Sequence, residues 1–145
     1  MLHRMVLVAR SNVELGRGAL NGDLGIMLSR LMKASVDGCM TGALLWESGH
    51  FLEVLEGDRE TLNEFRARIT GDARIERLQV LEFLPLLRRE YSTWAIARRR
   101  HDRAGPDLLR DLAGGRVSAE KVRFVLRESL AAGPLAESPP LVVAA

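Results

Sequence analysis

The stretch MTGALLWESGHFLEVLEG, residues 40–57, constrains the fold more than any other part of the chain. Two apolar runs flank Ser48-Gly49, the composition of a tight hairpin joining two β-strands. In the second strand side chains alternate between faces, so Phe51, Glu53 and Leu55 point one way and Leu52, Val54 and Glu56 the other. Glu53 therefore shares a face with two large apolar residues. Burying an ionised, unpaired carboxylate there is costly. The expectation is that Glu53 takes up a proton or finds a partner, such as Ser35 or the indole of Trp94.

The flanking segments fix the order of elements. RMVLVAR (4–10) is β-branched and apolar and reads as a first strand. SNVELGRGALNGD (11–23) is a glycine- and asparagine-containing loop, and Asp23 caps a helix over 24–34 with Leu24, Met27, Leu28 and Leu31 on one stripe. After the hairpin, Asp58 is the N-cap of a second helix that carries Leu62, Phe65 and Ile69 at helical spacing. Strands follow at 78–86 and 92–98. The order predicts an α+β fold: a ferredoxin-like βαββαβ(β) mixed sheet with two helices on one face. Segments 105–115 and 118–132 read as two C-terminal helices covering the other face, where Leu52 and Val54 would otherwise meet water. The expected organisation is a domain over 1–100, a helical cap over 101–132 and a disordered tail over 133–145.

Composition excludes several classes of function. No apolar run reaches the roughly 18–20 residues that span a bilayer, and residues 1–10 are too short and strand-like for a signal peptide. One cysteine, Cys39, rules out an internal disulfide and fits the cytoplasm. No Cys/His cluster has zinc spacing and no glycine-rich phosphate loop occurs, so no metal site is expected. The formal net charge is only +2 although the isoelectric point is about 9.2. The basic residues concentrate in the arginine-rich stretch 88–103, which reads as a solvated strand end and linker. That stretch lacks most of the aromatics that stack bases, which argues against a nucleic-acid partner.

Thr41-Gly42, Leu44-Leu45, Gly49, Phe51, Leu55-Glu56-Gly57, Ile69, Asp72, Arg74 and Trp94 together resemble the BLUF domain, a blue-light sensor that holds FAD between two helices. The resemblance runs over about residues 3–100 in the same element order. It implies that Leu7 stands where the family has its photoactive tyrosine, Glu53 where it has the switch glutamine, and Ser35 where an asparagine bonds the flavin ring. Ile75 replaces a frequent histidine and Ile96 the late methionine, whereas Trp94 is retained. The family positions for cofactor binding are thus Leu7, Ser35, Glu53, Asp72, Arg74, Trp94 and Ile96.

A glutamine amide donates and accepts, whereas an ionised glutamate only accepts, and leucine is neither a proton nor an electron donor. The sequence thus reads as a BLUF-fold regulatory module that acts through a protein partner, without normal photochemistry, without a cofactor and without enzymatic activity. The alternatives are a protein that still binds FAD, if the cradle stays open, as a blue-light sensor or a dark flavoprotein, and more remotely a small enzyme with Glu53 as acid or base. Asp72 and Arg74 either meet a phosphate or ribose or form a local ion pair. Met27, Met32 and Met40 are placed to fill the flavin crevice. Cys39 is expected to be a small buried thiol, and His3, His50 and His101 surface residues. A homodimer through the sheet's back face or the C-terminal helices is the expected assembly.

Overall fold

In the computed structural model the described residues are 1–11, 29–30, 32–33, 35–37, 39–47, 49–97, 105–131, 133–134, 136–138 and 140. A six-stranded sheet is built from β1 (Leu2–Ser11), β2 (Thr41–Glu47), β3 (His50–Asp58), β4 (Ile75–Pro85), β5 (Trp94–Ile96) and β6 (Ala136–Glu137). The strand order is β4-β1-β3-β2-β5-β6. The first four strands pair antiparallel in the ferredoxin-like arrangement, and β5 joins β2 in parallel, which makes the sheet mixed. The helices are α1 (Arg59–Thr70), α2 (Gly105–Ala113) and α3 (Ala119–Leu130). The predicted first helix lies largely outside the described residues, but 29–30, 32–33 and 35–37 are helical.

The alternation read from β3 sorts the core into two layers. Phe51 and Leu55 join Met5, Leu7 and Leu44 under Leu62, Phe65 and Ile69 of α1. Burying each of those helix side chains contributes roughly 1.5–3 kcal/mol. Asp58 caps α1 by accepting from the Glu60 amide at 3.3 Å, as its position predicts. On the opposite face Leu52 and Val54 pack with Val6, Val8, Ala43 and Leu45 beneath Leu108, Leu112, Val122, Val125 and Leu126 of α2 and α3. The C-terminal helices therefore close the back face of the sheet. A dimer through that face is corrected: the surface is already occupied.

Other expectations also change. β4 begins three residues earlier than predicted, and its extra residues include a register shift opposite β1 between Val8 and Arg10. The tail read as disordered supplies β6, whose backbone pairs with β5. Ser138 then accepts from the Trp94 amide at 2.9 Å through its hydroxyl. His3 is buried rather than on the surface, because Phe83 of β4 stacks on its ring at 5.3 Å between centroids. His101 lies outside the described residues. Cys39 is exposed instead of buried. Its φ of 54° places it in a turn that aims the thiol away from the core.

Two residues of the hairpin lock the sheet at its centre. Gly42 has φ 144°, and a Cβ there would lie 1.9 Å from the Val54 carbonyl oxygen, so no side chain fits. This close approach brings Thr41 opposite Glu56. Glu56 is fully buried. Its Oε1 accepts from the Thr41 hydroxyl at 3.0 Å and the Tyr91 amide at 2.9 Å, and its Oε2 from the Glu90 amide at 2.8 Å. Arg89 adds bonds to Thr41 Oγ1, the Glu56 carbonyl and the Cys39 carbonyl, each at 2.9 Å. Part of the arginine-rich stretch is thus structural, while 98–103 lie outside the described residues. Replacing Glu56→Ala strips the acceptor from three donors at roughly 1–3 kcal/mol each. The expected loss is about 3 kcal/mol or more in urea denaturation; a loss under about 1 kcal/mol would show that the network is dispensable.

Candidate functional site

β3 carries Glu53 through the middle of the sheet. Its Cα partners are Leu7 on β1 and Leu44 on β2, so apolar side chains flank it on both sides. Only 1% of Glu53 is exposed. Trp94 reaches it from β5, the indole Nε1 donating to Glu53 Oε1 at 3.3 Å. Of the two partners expected from the sequence, the structure selects the tryptophan. Burial lifts the Glu53 pKa to about 8, and the indole hydrogen bond opposes that only in part. At neutral pH the side chain is a neutral carboxylic acid. It then has an O–H donor as well as a carbonyl acceptor, so the acceptor-only character of an ionised glutamate does not apply.

A cavity of about 30 Å³ opens beside Glu53, lined by Leu7, Ala9, Leu44, Phe51, Ile69, Asp72 and Ile75. Of the family positions, Leu7, Glu53, Asp72 and Ile75 thus meet at one space. Trp94 contacts it through Glu53, and Ile96 packs in the same apolar layer. Ser35 is fully buried, and its carbonyl accepts from the Met40 amide at 2.8 Å. Met40 is buried in this layer and Met32 packs against it, as expected of gap-filling side chains. Met27 lies outside the described residues.

Asp72 and Arg74 form the local ion pair that was one of their two expected roles. Arg74 donates through Nε to Asp72 Oδ1 at 3.0 Å and through a terminal nitrogen to Oδ2 at 2.8 Å, and its backbone amide adds a bond at 2.9 Å. These donors hold the Asp72 carboxyl down at about 2. Among the described residues there is no group of three or more His, Cys, Asp or Glu that could hold a metal ion. No helix among them is long and apolar enough to cross a membrane.

Sequence reasoning left the Glu56 network unrecognised. The LEG and TG motifs were visible, but the partners at 89–91 lie more than thirty residues away and carry no periodic signal. The strand order β4-β1-β3-β2 with α1 packed on one face is the frame that holds these residues. The family model for sensors of blue-light using FAD matches residues 11–97, and the chain belongs to this BLUF family.

Solved structures agree on the fold. BlsA in its ground state superimposes with a TM-score of 0.66 at 19% identity, covering 94% of this chain and 92% of that one. BlrB, a BLUF protein in its dark state, gives 0.62 at 25% identity over 90% and 96%. A bacterial light-regulated adenylyl cyclase gives 0.63 at 18% identity, over 88% of this chain and only 40% of the cyclase. A comparison with curated proteins gave no significant match.

The state of Glu53 makes stability depend on pH. The folded pKa lies above the value of about 4.3 expected when unfolded, so the folded state holds the proton between the two values. Stability is then fully present below about pH 4 and falls as pH rises towards 8, by at most about 1.4 kcal/mol per unit. Glu53→Gln removes this contribution. Urea denaturation at pH 5 and pH 8 should show a drop of a few kcal/mol in the native protein that is absent in Glu53→Gln. Parallel pH profiles would mean that Glu53 is ionised in the fold.

Proposed function

We propose that this protein is a BLUF-fold regulatory module that has lost normal blue-light photochemistry and FAD binding and acts by contact with a protein partner. The observation that carries the reading is the closed Glu53–Trp94 pair beneath a cavity of about 30 Å³. Small-molecule pockets run from roughly 300 Å³ upwards, so the space that the described residues leave beside Glu53 is far smaller than a three-ring flavin fills. Leu7, at the position of the family's photoactive tyrosine, is buried and offers no proton or electron. The module is read as a domain over 1–100 capped by the two C-terminal helices, in the cytoplasm, where an exposed Cys39 thiol stays reduced. If a dimer forms, α3 supplies its surface, where Phe124 is exposed.

A second reading, a dark flavoprotein or altered sensor, draws on one observation. A neutral Glu53 beside Trp94 presents one donor and one acceptor, as a glutamine amide does. The enzyme reading gains little. Asp72 lines the same cavity, but Arg74 engages both of its carboxylate oxygens and holds its pKa at about 2, which makes it a poor base for a proton from Glu53.

Purified protein should be colourless, and should remain so after mixing with excess FAD and gel filtration. Flavin absorbance retained by the protein would overturn the cofactor-free reading. Illumination of such a preparation would then separate a sensor, whose spectrum shifts, from a dark flavoprotein, whose spectrum does not.

A further inference from the structure

The covered face of the sheet has a second and larger cavity, of about 250 Å³, at the end of β1 and β3 under the turn that joins α2 to α3. Arg10, His50, Arg77 and Gln79 supply its polar lining, and Val8, Leu112 and Val117 a buried apolar wall. Arg10 and His50 are Cα partners across β1 and β3, so their side chains stand on the same face of the sheet. Arg77 comes from β4, at the register shift opposite Val8 and Arg10.

We propose that this cavity binds a small phosphorylated molecule, with its phosphate between the Arg10 and Arg77 guanidiniums beside His50 and its apolar part against Val8, Leu112 and Val117. The site is independent of any flavin and lies on the opposite face from Glu53.

Arg10 and Arg77 are both exposed, so an anion can reach them, and two observations bear on their role. Among the described residues neither forms an ion pair, although both converge on one concave space and one imidazole. Like charges gathered on neighbouring strands oppose folding unless an anion joins them. Arg77 also has φ 49°, a left-handed conformation that is rare for a residue with a side chain. That conformation falls at the residue of β4 that lines the cavity beside His50.

Guanidinium forks match phosphate oxygens geometrically, and two of them with an adjacent imidazole suit a multiply charged oxyanion better than a single carboxylate. Burial, Arg10 and Arg77 all lower the His50 pKa, so the ring is neutral at neutral pH. The described acidic residue nearest in register is Glu76, opposite Arg10 on β4, and it does not line the cavity. A bound dianion reverses the local field and favours the imidazolium. Binding therefore takes up a proton and strengthens as pH falls.

The test is isothermal titration of the full chain with inorganic pyrophosphate at constant ionic strength. One saturable site per chain is expected, weakened about tenfold or more by Arg10→Gln or Arg77→Gln. Arg77→Gly relieves the backbone while removing the cation, so it should fold at least as well and still lose binding. Sulfate, whose charge is constant over the range, should bind more tightly at about pH 6 than at about pH 8, and His50→Gln should flatten that dependence. Undiminished binding by Arg77→Gly, or no saturable pyrophosphate binding, would overturn the proposal. Binding of a single-stranded RNA oligomer without measurable pyrophosphate binding would also overturn it, in favour of a polymeric partner.

Discussion

The buried Glu56 carboxylate is the contact on which the rest of the structure depends. A carboxylate without exposure is tolerated only when its lone pairs are filled, and here Thr41, Glu90 and Tyr91 fill them. Those donors come from β2 and from the irregular segment before β5, so the carboxylate ties an otherwise unsupported loop to the sheet. The Gly42 amide then donates to the Thr93 carbonyl at 2.9 Å, and β5 starts at the next residue. Trp94 is delivered over Glu53 by this chain of contacts. The motif residues Thr41, Gly42 and Glu56 are thus architectural, and the candidate site inherits its geometry from them.

β3 carries two buried glutamates three residues apart in different surroundings. Glu56 faces three donors, two of them backbone amides that cannot be displaced without breaking the loop. Glu53 faces one indole N–H at the long end of hydrogen-bond range, with Leu7 and Leu44 on either side. Both side chains are fully buried, but the carboxyl oxygens of Glu56 accept three hydrogen bonds and those of Glu53 one. Glu53 remains protonated because a single neutral donor is less than the lost hydration. The same strand therefore holds a structural acceptor with three donors and an uncharged acid with one.

Much of this was legible in local pattern. The alternation in 50–56 placed Phe51 and Leu55 against α1 and Leu52 and Val54 against the C-terminal helices, and Asp58 capped its helix as its spacing indicated. Trp94 was one of the two partners the sequence offered Glu53, and the indole bond in the structure chose between them. What escaped had no local signature. Cys39 reads as core in a hydropathy pattern, and only its positive φ turns the thiol outward. His3 looks like a strand-end surface residue until the length of β4, which propensity left short, puts Phe83 on its ring. The proline-containing tail gave no strand signal, since β6 is two residues long and is held by the edge of β5 rather than by its own preference.

The two cavities lie on opposite faces of the same strands, and Ala9 borders both. Only the thickness of one backbone separates them. Side chains of one face cannot touch those of the other, so influence between the two spaces passes through strand position alone. β1 and β3 form an unbroken antiparallel ladder from Leu2 to Arg10, which resists sliding because a one-residue slip would exchange the faces of every side chain. β4 is different: its pairing with β1 shifts register twice, between Val6 and Leu7 and between Val8 and Arg10. Bulges of this kind bend a strand and re-aim side chains. The second shift sets Arg77 beside the larger cavity, while Ile75, on the other side of it, borders the smaller one. The irregular strand, not the regular ladder, is therefore the element whose side chains are divided between the two spaces.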